Sequence, residues 1–227
     1  MSIGRTILFG VTTSQSLKLL GNIPQAMSEQ GWDVHVGYAP HEGNPLPCEQ
    51  EVVHHSIKMS RYPHPIKDLL ALSQWLLLVK RLQPDVVSAG TPKAGLLLIF
   101  AAWICQVPTR IYVLRGLRLE TTSGLARAFL WCLEAATSRL STSILSVSNS
   151  LSRSYVQKRL AKPSKVENLG VGSSHGVDLS KFVPLNEQAT ELKMELGLNA
   201  DTPIIGFVGR YCPDKGSRLI EQLHEIL

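Results

Sequence analysis

The feature that most constrains this chain is an alternation of short β-rich runs with longer helical stretches. The alternation repeats from the N-terminus to about residue 165. Strand-like runs lie at residues 6–11, 33–38, 52–57, 84–88, 109–114 and 143–147. Helical patterns fill the gaps at 17–30, 66–82, 92–105 and 125–140, and Asn149 or Ser150 is placed to cap a last one through Leu160. In the first helix Leu17, Leu20, Ile23 and Met27 recur at three-to-four spacing, Pro24 either kinks it or marks a boundary, and Gly31 closes it. Parallel strands need such crossover helices, so the pattern predicts an α/β fold with a Rossmann-like, doubly wound, mostly parallel sheet. A TIM barrel shares the rhythm, but the chain is slightly short for eight repeats and the rhythm stops near residue 165.

The sequence divides into residues 1–170, an N-terminal Rossmann-like domain, and residues 171–200, a junction rich in glycine and serine. Residues 201–227 then begin a second unit. In the junction a short helix at 191–196 ends on Gly197. The last segment reads as a strand (203–209), a loop and a helix (216–226), the opening of a second nucleotide-binding sheet. One strand and one helix cannot build a core, so either the polypeptide is truncated or this unit packs as an extension.

The 227 residues are 44 % hydrophobic and 18 % charged, a globular composition with net charge +5. Between residues 110 and 165 stand ten Lys or Arg against Glu120 and Glu134 alone, a local net of +8. This sector suits a phosphorylated substrate, nucleic acid or an anionic lipid surface, or is simply a solvated face. Helix-turn-helix, zinc-module and aromatic-basic patterns are lacking, so nucleic acid is not the expected partner. Cys48, Cys105, Cys132 and Cys212 have no metal or dithiol spacing. Cys105 and Cys132, in apolar stretches, read as core thiols of a cytoplasmic protein. His54 and His55 point to opposite faces of a strand and do not chelate together. The N-terminus lacks a signal-peptide layout. The longest apolar run, twelve residues at 94–105, is short of the roughly 20 that span a bilayer. Peripheral attachment to the inner face of the cytoplasmic membrane is open. The helices at 66–82 and 94–105, with nearby Arg61, Lys67, Lys80, Arg81 and Lys93, point to an anionic surface.

The sharpest local signal is Gly206-Phe207-Val208-Gly209-Arg210-Tyr211-Cys212-Pro213-Asp214-Lys215-Gly216. Strand-end glycines let a ligand approach the backbone, the helix start offers free N–H groups, and Arg210 and Lys215 add two cations suited to a diphosphate. It is neither a P-loop nor a GxGxxG fingerprint. An ordinary strand–helix turn with two surface cations has the same residues.

GFVGR followed by Asp214-Lys215-Gly216, together with GVDLSKF at 176–182, resembles the retaining glycosyltransferases of the GT-B fold, family 4. Thr91-Pro92-Lys93-Ala94-Gly95 and the run Tyr112 to Glu120 (YVLRGLRLE) resemble its capsular and exopolysaccharide branch. The resemblance covers nearly the whole chain. It implies retaining transfer from a nucleotide-diphosphate sugar, UDP-linked in many members, to a polyprenyl-diphosphate-linked acceptor, with no cofactor beyond the donor and no essential metal. By the same resemblance Arg210 and Lys215 stabilise the leaving diphosphate, and Gly209 and Ser14 also line the donor. Thr91, Lys93, Arg115 and Arg118 face the acceptor, with Thr91 open to a helix-capping reading, Lys93 to that of a solvated first-turn residue, and Arg115 and Arg118 to pairing with Glu120. Three departures stand out. The first loop, residues 12–16, has hydroxyls where many members have a glycine pair. The loop after the 84–88 strand lacks their histidine, so no side-chain acid or base is named. His175 stands where Asn is frequent, and reads as structural. Complete members carry a full second domain, so this chain alone is expected to be weak or inactive: a fragment, a disrupted product, or one half of a split enzyme whose C-terminal half is missing. The alternative is a non-catalytic domain that binds a lipid-linked phosphate or the anionic membrane surface.

Overall fold

Seven strands, all parallel, hydrogen-bond in the order β3-β2-β1-β4-β5-β6-β7. They are β1 (Thr6–Thr13), β2 (Asp33–Ala39), β3 (Val52–Ser56), β4 (Val86–Ala89), β5 (Thr109–Leu114), β6 (Ser143–Ser146) and β7 (Val166–Asn168). Helices α1 (Ile23–Glu29), α2 (Pro65–Leu82), α3 (Pro92–Ile104), α4 (Gly124–Leu140) and α5 (Asn149–Gln157) cross over between them. The coordinates are a computed structural model that describes residues 4–40, 51–60, 63–177, 179–180, 182–183, 186–199, 201–209, 211–212 and 215–226. The chain forms two compact units, Met1–Gly176 and Val177–Leu227. The doubly wound sheet expected from the alternation is present in the first.

Strand parity sorts the core into layers. Ile7, Phe9 and Val11 on β1 and Val34, Val36 and Tyr38 on β2 pack in one cluster, with Leu17 and Met27 against it. Leu8, Val87 and Ala89 face the other way, onto Trp75, Leu78 and Val79 of α2 and Leu98 of α3. Two glycines make that second layer possible. Gly10 and Gly37 are register partners on β1 and β2. A Cβ at Gly37 would lie 2.4 Å from the Trp75 ring, and one at Gly10 would lie 2.3 Å from Leu98 Cδ2. The paired glycines thus form a bare patch of sheet against which the fully buried indole packs. Beyond β4, Tyr112, Leu114, Ile144 and Tyr155 form a third cluster. There Glu134 of α4 accepts from the Tyr112 hydroxyl (3.1 Å to Oε2) and from the Tyr155 hydroxyl (3.1 Å), and burial pushes its carboxyl up.

Several local expectations are corrected. The 17–30 helix is two segments: a 3-10 turn Ser14–Leu19 and α1, with Pro24 at the first turn of α1, where its missing N–H costs nothing. Ser148, not Asn149 or Ser150, caps α5, accepting from the Leu151 amide at 3.2 Å. Residues 166–168 lie past the last strand expected from the sequence in the N-terminal domain. They form β7, an edge strand whose short Val-Glu-Asn sequence carries no apolar signature and whose backbone pairs with β6. Cys132 is exposed and Cys105 only half-buried, because their helices bury other faces. Helix α2 packs on one side: Ala71, Trp75, Leu78 and Val79 are buried, while Ile66, Leu69, Leu70 and Leu77 are exposed.

The second unit holds α6 (Asn186–Glu195) and α7 (Ser217–Ile226). Gly197, at φ +69°, ends α6 as expected, with its amide on Met194 O and that of Leu198 on Lys193 O. The strand expected at 203–209 is not formed. Among the described residues nothing pairs with that backbone, and a strand without a ladder partner has no reason to persist.

On the α2 side of the β2–β3 edge, His35 Nδ1 and His55 Nε2 are 3.0 Å apart, and His35 Nε2 lies 3.1 Å from Asp33 Oδ2. Burial first, then the charges of His35, Arg81 and His54, pull the His55 pKa down to about 4. The folded state therefore binds this proton less readily than the unfolded chain, whose histidine titrates near 6.5. Stability should be flat above pH 7 and fall as pH drops from about 6.5 toward 4. His55→Gln should flatten that slope in urea melts taken across the range. Gly37→Ala should cost about 1–3 kcal/mol by overpacking against Trp75, read as a lower urea midpoint at unchanged slope.

Candidate functional site

The sheet's connections run one way from β1 through β2 to β3, and the other way from β4 through β5 and β6 to β7. At the reversal, between β1 and β4, the connections leave in opposite directions, which makes the carboxyl edge of the sheet there the topological crevice of the fold. This is where open α/β sheets bind ligands. Its walls are the end of β1 with residues 14–19, residues 90–91 after β4, residues 115–122 after β5, and residues 169–176 after β7.

Arg115 holds these walls together. Its Nε donates to Ser174 Oγ (2.9 Å), Nη1 to the Gly90 carbonyl (3.3 Å) and Nη2 to the Leu19 carbonyl (2.5 Å). A single planar fork thus ties the segments after β1, β4 and β7. Burial lowers its pKa from the usual value, yet three acceptor oxygens satisfy the cation. Gly90 is required for this contact: a Cβ there would stand 1.9 Å from Arg115 Nη1. Gly21, at φ +54°, receives the His175 ring in the same way, its Cβ position 2.9 Å from His175 Cβ. His175 therefore packs as a wall element, in agreement with the structural reading.

The other expected residues fall in distinct settings. Thr91 is buried, and its hydroxyl meets that of Thr12 at 2.8 Å across the β1–β4 reversal instead of capping α3. Lys93 Nζ lies 2.6 Å from Asp68 Oδ1 and 3.2 Å from Ser60 Oγ, so its charge is balanced by the first turn of α2. Arg118 is exposed. Neither Arg115 nor Arg118 is seen to pair with Glu120, which takes Lys158 (3.4 Å) and the Ser154 hydroxyl (2.9 Å). Ser14 opens the 3-10 turn at the crevice, half-buried. In the second unit Gly209 and Lys215 are exposed, and Arg210 lies outside the described residues. The structure therefore brings Ser14, Thr91 and Arg115 to one crevice, and places Lys93 beside it on the first turn of α3, paired with Asp68 of α2. Sequence reasoning missed Gly90, Gly21 and Ser174, whose only signal was glycine and serine at segment ends. Among the described residues, no group of three or more His, Cys, Asp or Glu could hold a metal ion, and no helix is long and apolar enough to cross a membrane.

A family model described as a glycosyl transferase 4-like domain matches residues 20–172. Over 217 residues the chain is 36 % identical to the capsular polysaccharide biosynthesis glycosyltransferase CapM of Staphylococcus aureus, covering 96 % of this chain and 56 % of that protein. Over 152 residues it is 26 % identical to an Escherichia coli UDP-Gal:α-D-GlcNAc-diphosphoundecaprenol α-1,3-galactosyltransferase, covering 66 % of this chain and 38 % of that one. The chain thus spans about half the length, or less, of these curated relatives. Among solved structures it is similar to sucrose-phosphate synthase from Thermosynechococcus elongatus (TM-score 0.70, 14 % identity, 98 % of this chain and 60 % of that one). It is also similar to Anabaena HepE solved with UDP-glucose (TM-score 0.68, 18 % identity, 97 % and 57 %). At such identities the likeness is one of fold.

Arg115→Ala and Gly90→Ala should each lower stability by about 1.5–3 kcal/mol, since each breaks hydrogen bonds of a charged group. The double variant should lose less than the sum, because both changes strike the same clamp. Urea melts of the three variants measure this directly.

Proposed function

The chain belongs to the glycosyl transferase 4-like domain family, and on that premise we propose that it moves a sugar, with retention, from a nucleotide-diphosphate sugar to a polyprenyl-diphosphate-linked acceptor in bacterial surface polysaccharide synthesis. The observation that carries this reading is kinship through nearly the whole chain with a capsular polysaccharide glycosyltransferase. The E. coli relative's printed name, with its UDP-Gal donor and diphosphoundecaprenol-linked acceptor, supports the two substrate classes. The work site in this proposal is peripheral, at the inner face of the cytoplasmic membrane.

In the reaction the glycosidic bond to the donor diphosphate breaks as a bond forms to an acceptor hydroxyl oxygen. The hydroxyl proton leaves with the diphosphate. Negative charge gathers on that leaving group, so fixed cations lower the barrier more than they tighten ground-state binding. We assign that task to Arg210 and Lys215, with Gly209 allowing close backbone approach and Ser14 offering a hydroxyl. On the acceptor side Arg118 supplies an exposed cation. Thr91 and Arg115 position the crevice walls, and Lys93 holds its charge near the acceptor through its pair with Asp68.

Arg210→Ala and Lys215→Ala should each reduce turnover on the order of 10²–10³-fold. The measurement is transfer of radiolabelled sugar from a UDP-sugar to a polyprenyl-diphosphate-linked sugar. Unchanged turnover in both variants removes the assigned roles. Nucleotide-diphosphate binding without any transfer would favour a non-catalytic phosphate-binding domain instead.

A further inference from the structure

Half of α4 is packed and half is not. Its second half carries the buried Thr137 and Ser138 and the Glu134 carboxylate held by Tyr112 and Tyr155. Residues 124–129 are exposed throughout, as are Trp131 and Cys132. At about 100° per residue, Leu125, Ala128, Phe129 and Cys132 share one side of this projecting end, and Arg127, its single charge, stands nearly opposite. Leu125 is 91 % exposed and Phe129 60 %. Leaving such side chains facing water adds nothing to the fold's own core.

Helix α2 repeats the arrangement. Ile66 (71 % exposed), Leu69 and Leu70 lie on the outer side of its first turns, opposite the buried Ala71 and Trp75. Both helices pack against α3, one on each side of it. In a parallel sheet each crossover helix starts where the preceding strand ends. The first turns of α2 and α4 therefore sit at the carboxyl edge of the sheet, beside the crevice.

The acids along this edge are engaged: Asp68 with Lys93, Glu120 with Lys158 and Glu134 with two tyrosine hydroxyls. Lys67, next to Ile66 on α2, and Arg118, just before α4, stay exposed, and Arg127 is exposed on the other side of α4 from its apolar residues. The Trp131 indole N–H donates to the Lys158 carbonyl at 3.0 Å, which brings the Lys158–Arg159 corner alongside α4. Apolar side chains set among cations match an anionic lipid interface, where the chains enter the acyl boundary and the cations meet headgroup phosphates. A second copy of the chain would bring the same cations face to face, so charge argues against it.

The geometry points to the first turns of α2 and α4 as a two-pronged docking edge for an anionic phospholipid bilayer, which turns the crevice toward the membrane surface. The inference rests on the proposed acceptor being lipid-linked. It gives that acceptor a short path, because its diphosphate would lie at the depth of the crevice walls.

The test is co-sedimentation of the chain with phosphatidylglycerol–phosphatidylethanolamine vesicles, with no sugar substrate present. The chain should bind these vesicles and bind phosphatidylcholine vesicles weakly, with the difference shrinking at high salt. Leu125→Glu with Phe129→Glu, and separately Ile66→Glu with Leu70→Glu, should each weaken partitioning about tenfold or more. Ile104→Glu, at the far end of α3, should leave it unchanged. All these positions are exposed, so thermal melts should match the parent chain. Absence of vesicle binding by the parent, or binding by both double variants as strong as the parent's, overturns the inference. So does a dimer in sedimentation velocity that Leu125→Glu with Phe129→Glu dissociates, if vesicles are not bound. Because no donor or acceptor enters this assay, docking can fail while transfer stands, and transfer can fail while docking stands.

Discussion

A guanidinium taken out of water must find oxygen atoms to replace it, and Arg115 finds them on three separate stretches of chain. That requirement organises the carboxyl edge of the sheet. The carbonyls of Leu19 and Gly90 and the hydroxyl of Ser174 belong to segments after β1, β4 and β7, which share no ladder hydrogen bond at that point. One side chain from the end of β5 fixes their spacing, and with it the width of the crevice. The absence of a Cβ at Gly90 is the other half of the same contact. A methyl group there would compete with the cation for one volume.

The same logic operates on the buried face of the sheet. Trp75 is too large to sit over two ordinary strands at normal packing distance. Gly10 and Gly37, opposite one another in register, lower the floor beneath it. Neither glycine marks a turn, and neither adopts a left-handed backbone. Their role is set by what lies above them. This separates two uses of glycine within one domain. Gly197 and Gly21 supply a positive φ, whereas Gly10, Gly37 and Gly90 supply empty space.

Function at such an edge depends on which cations are already spent. Lys93 and Lys158 each face a carboxylate, and Arg115 faces carbonyls, so their charges serve the architecture as well as any ligand. Arg118 and Arg127, by contrast, lie exposed, as do the apolar side chains Leu125 and Phe129 of the neighbouring helix end. A sector that is uniformly basic in sequence is thus divided in space into a stapled interior and an open rim.

The strand–helix alternation and its periodicity determined the sheet, its crossover helices and the edge at which open α/β sheets bind ligands, because each strand's apolar run and each helix's three-to-four spacing are local properties. The resemblance carried by TPKAG, YVLRGLRLE and the GFVGR–DKG stretch was also readable in the chain itself. What only the tertiary structure decided is which partner each side chain takes. Lys93 reads as a free first-turn cation until α2 brings Asp68 to it. Thr91 reads as a helix cap until Thr12 arrives from β1. The Val-Glu-Asn run of β7 reads as a loop until β6 offers a ladder, while the apolar run at 203–209, which reads as a strand, joins no ladder among the described residues. In every case the outcome turned on a group far away in sequence, and a pattern read along one segment cannot contain the atom that satisfies it.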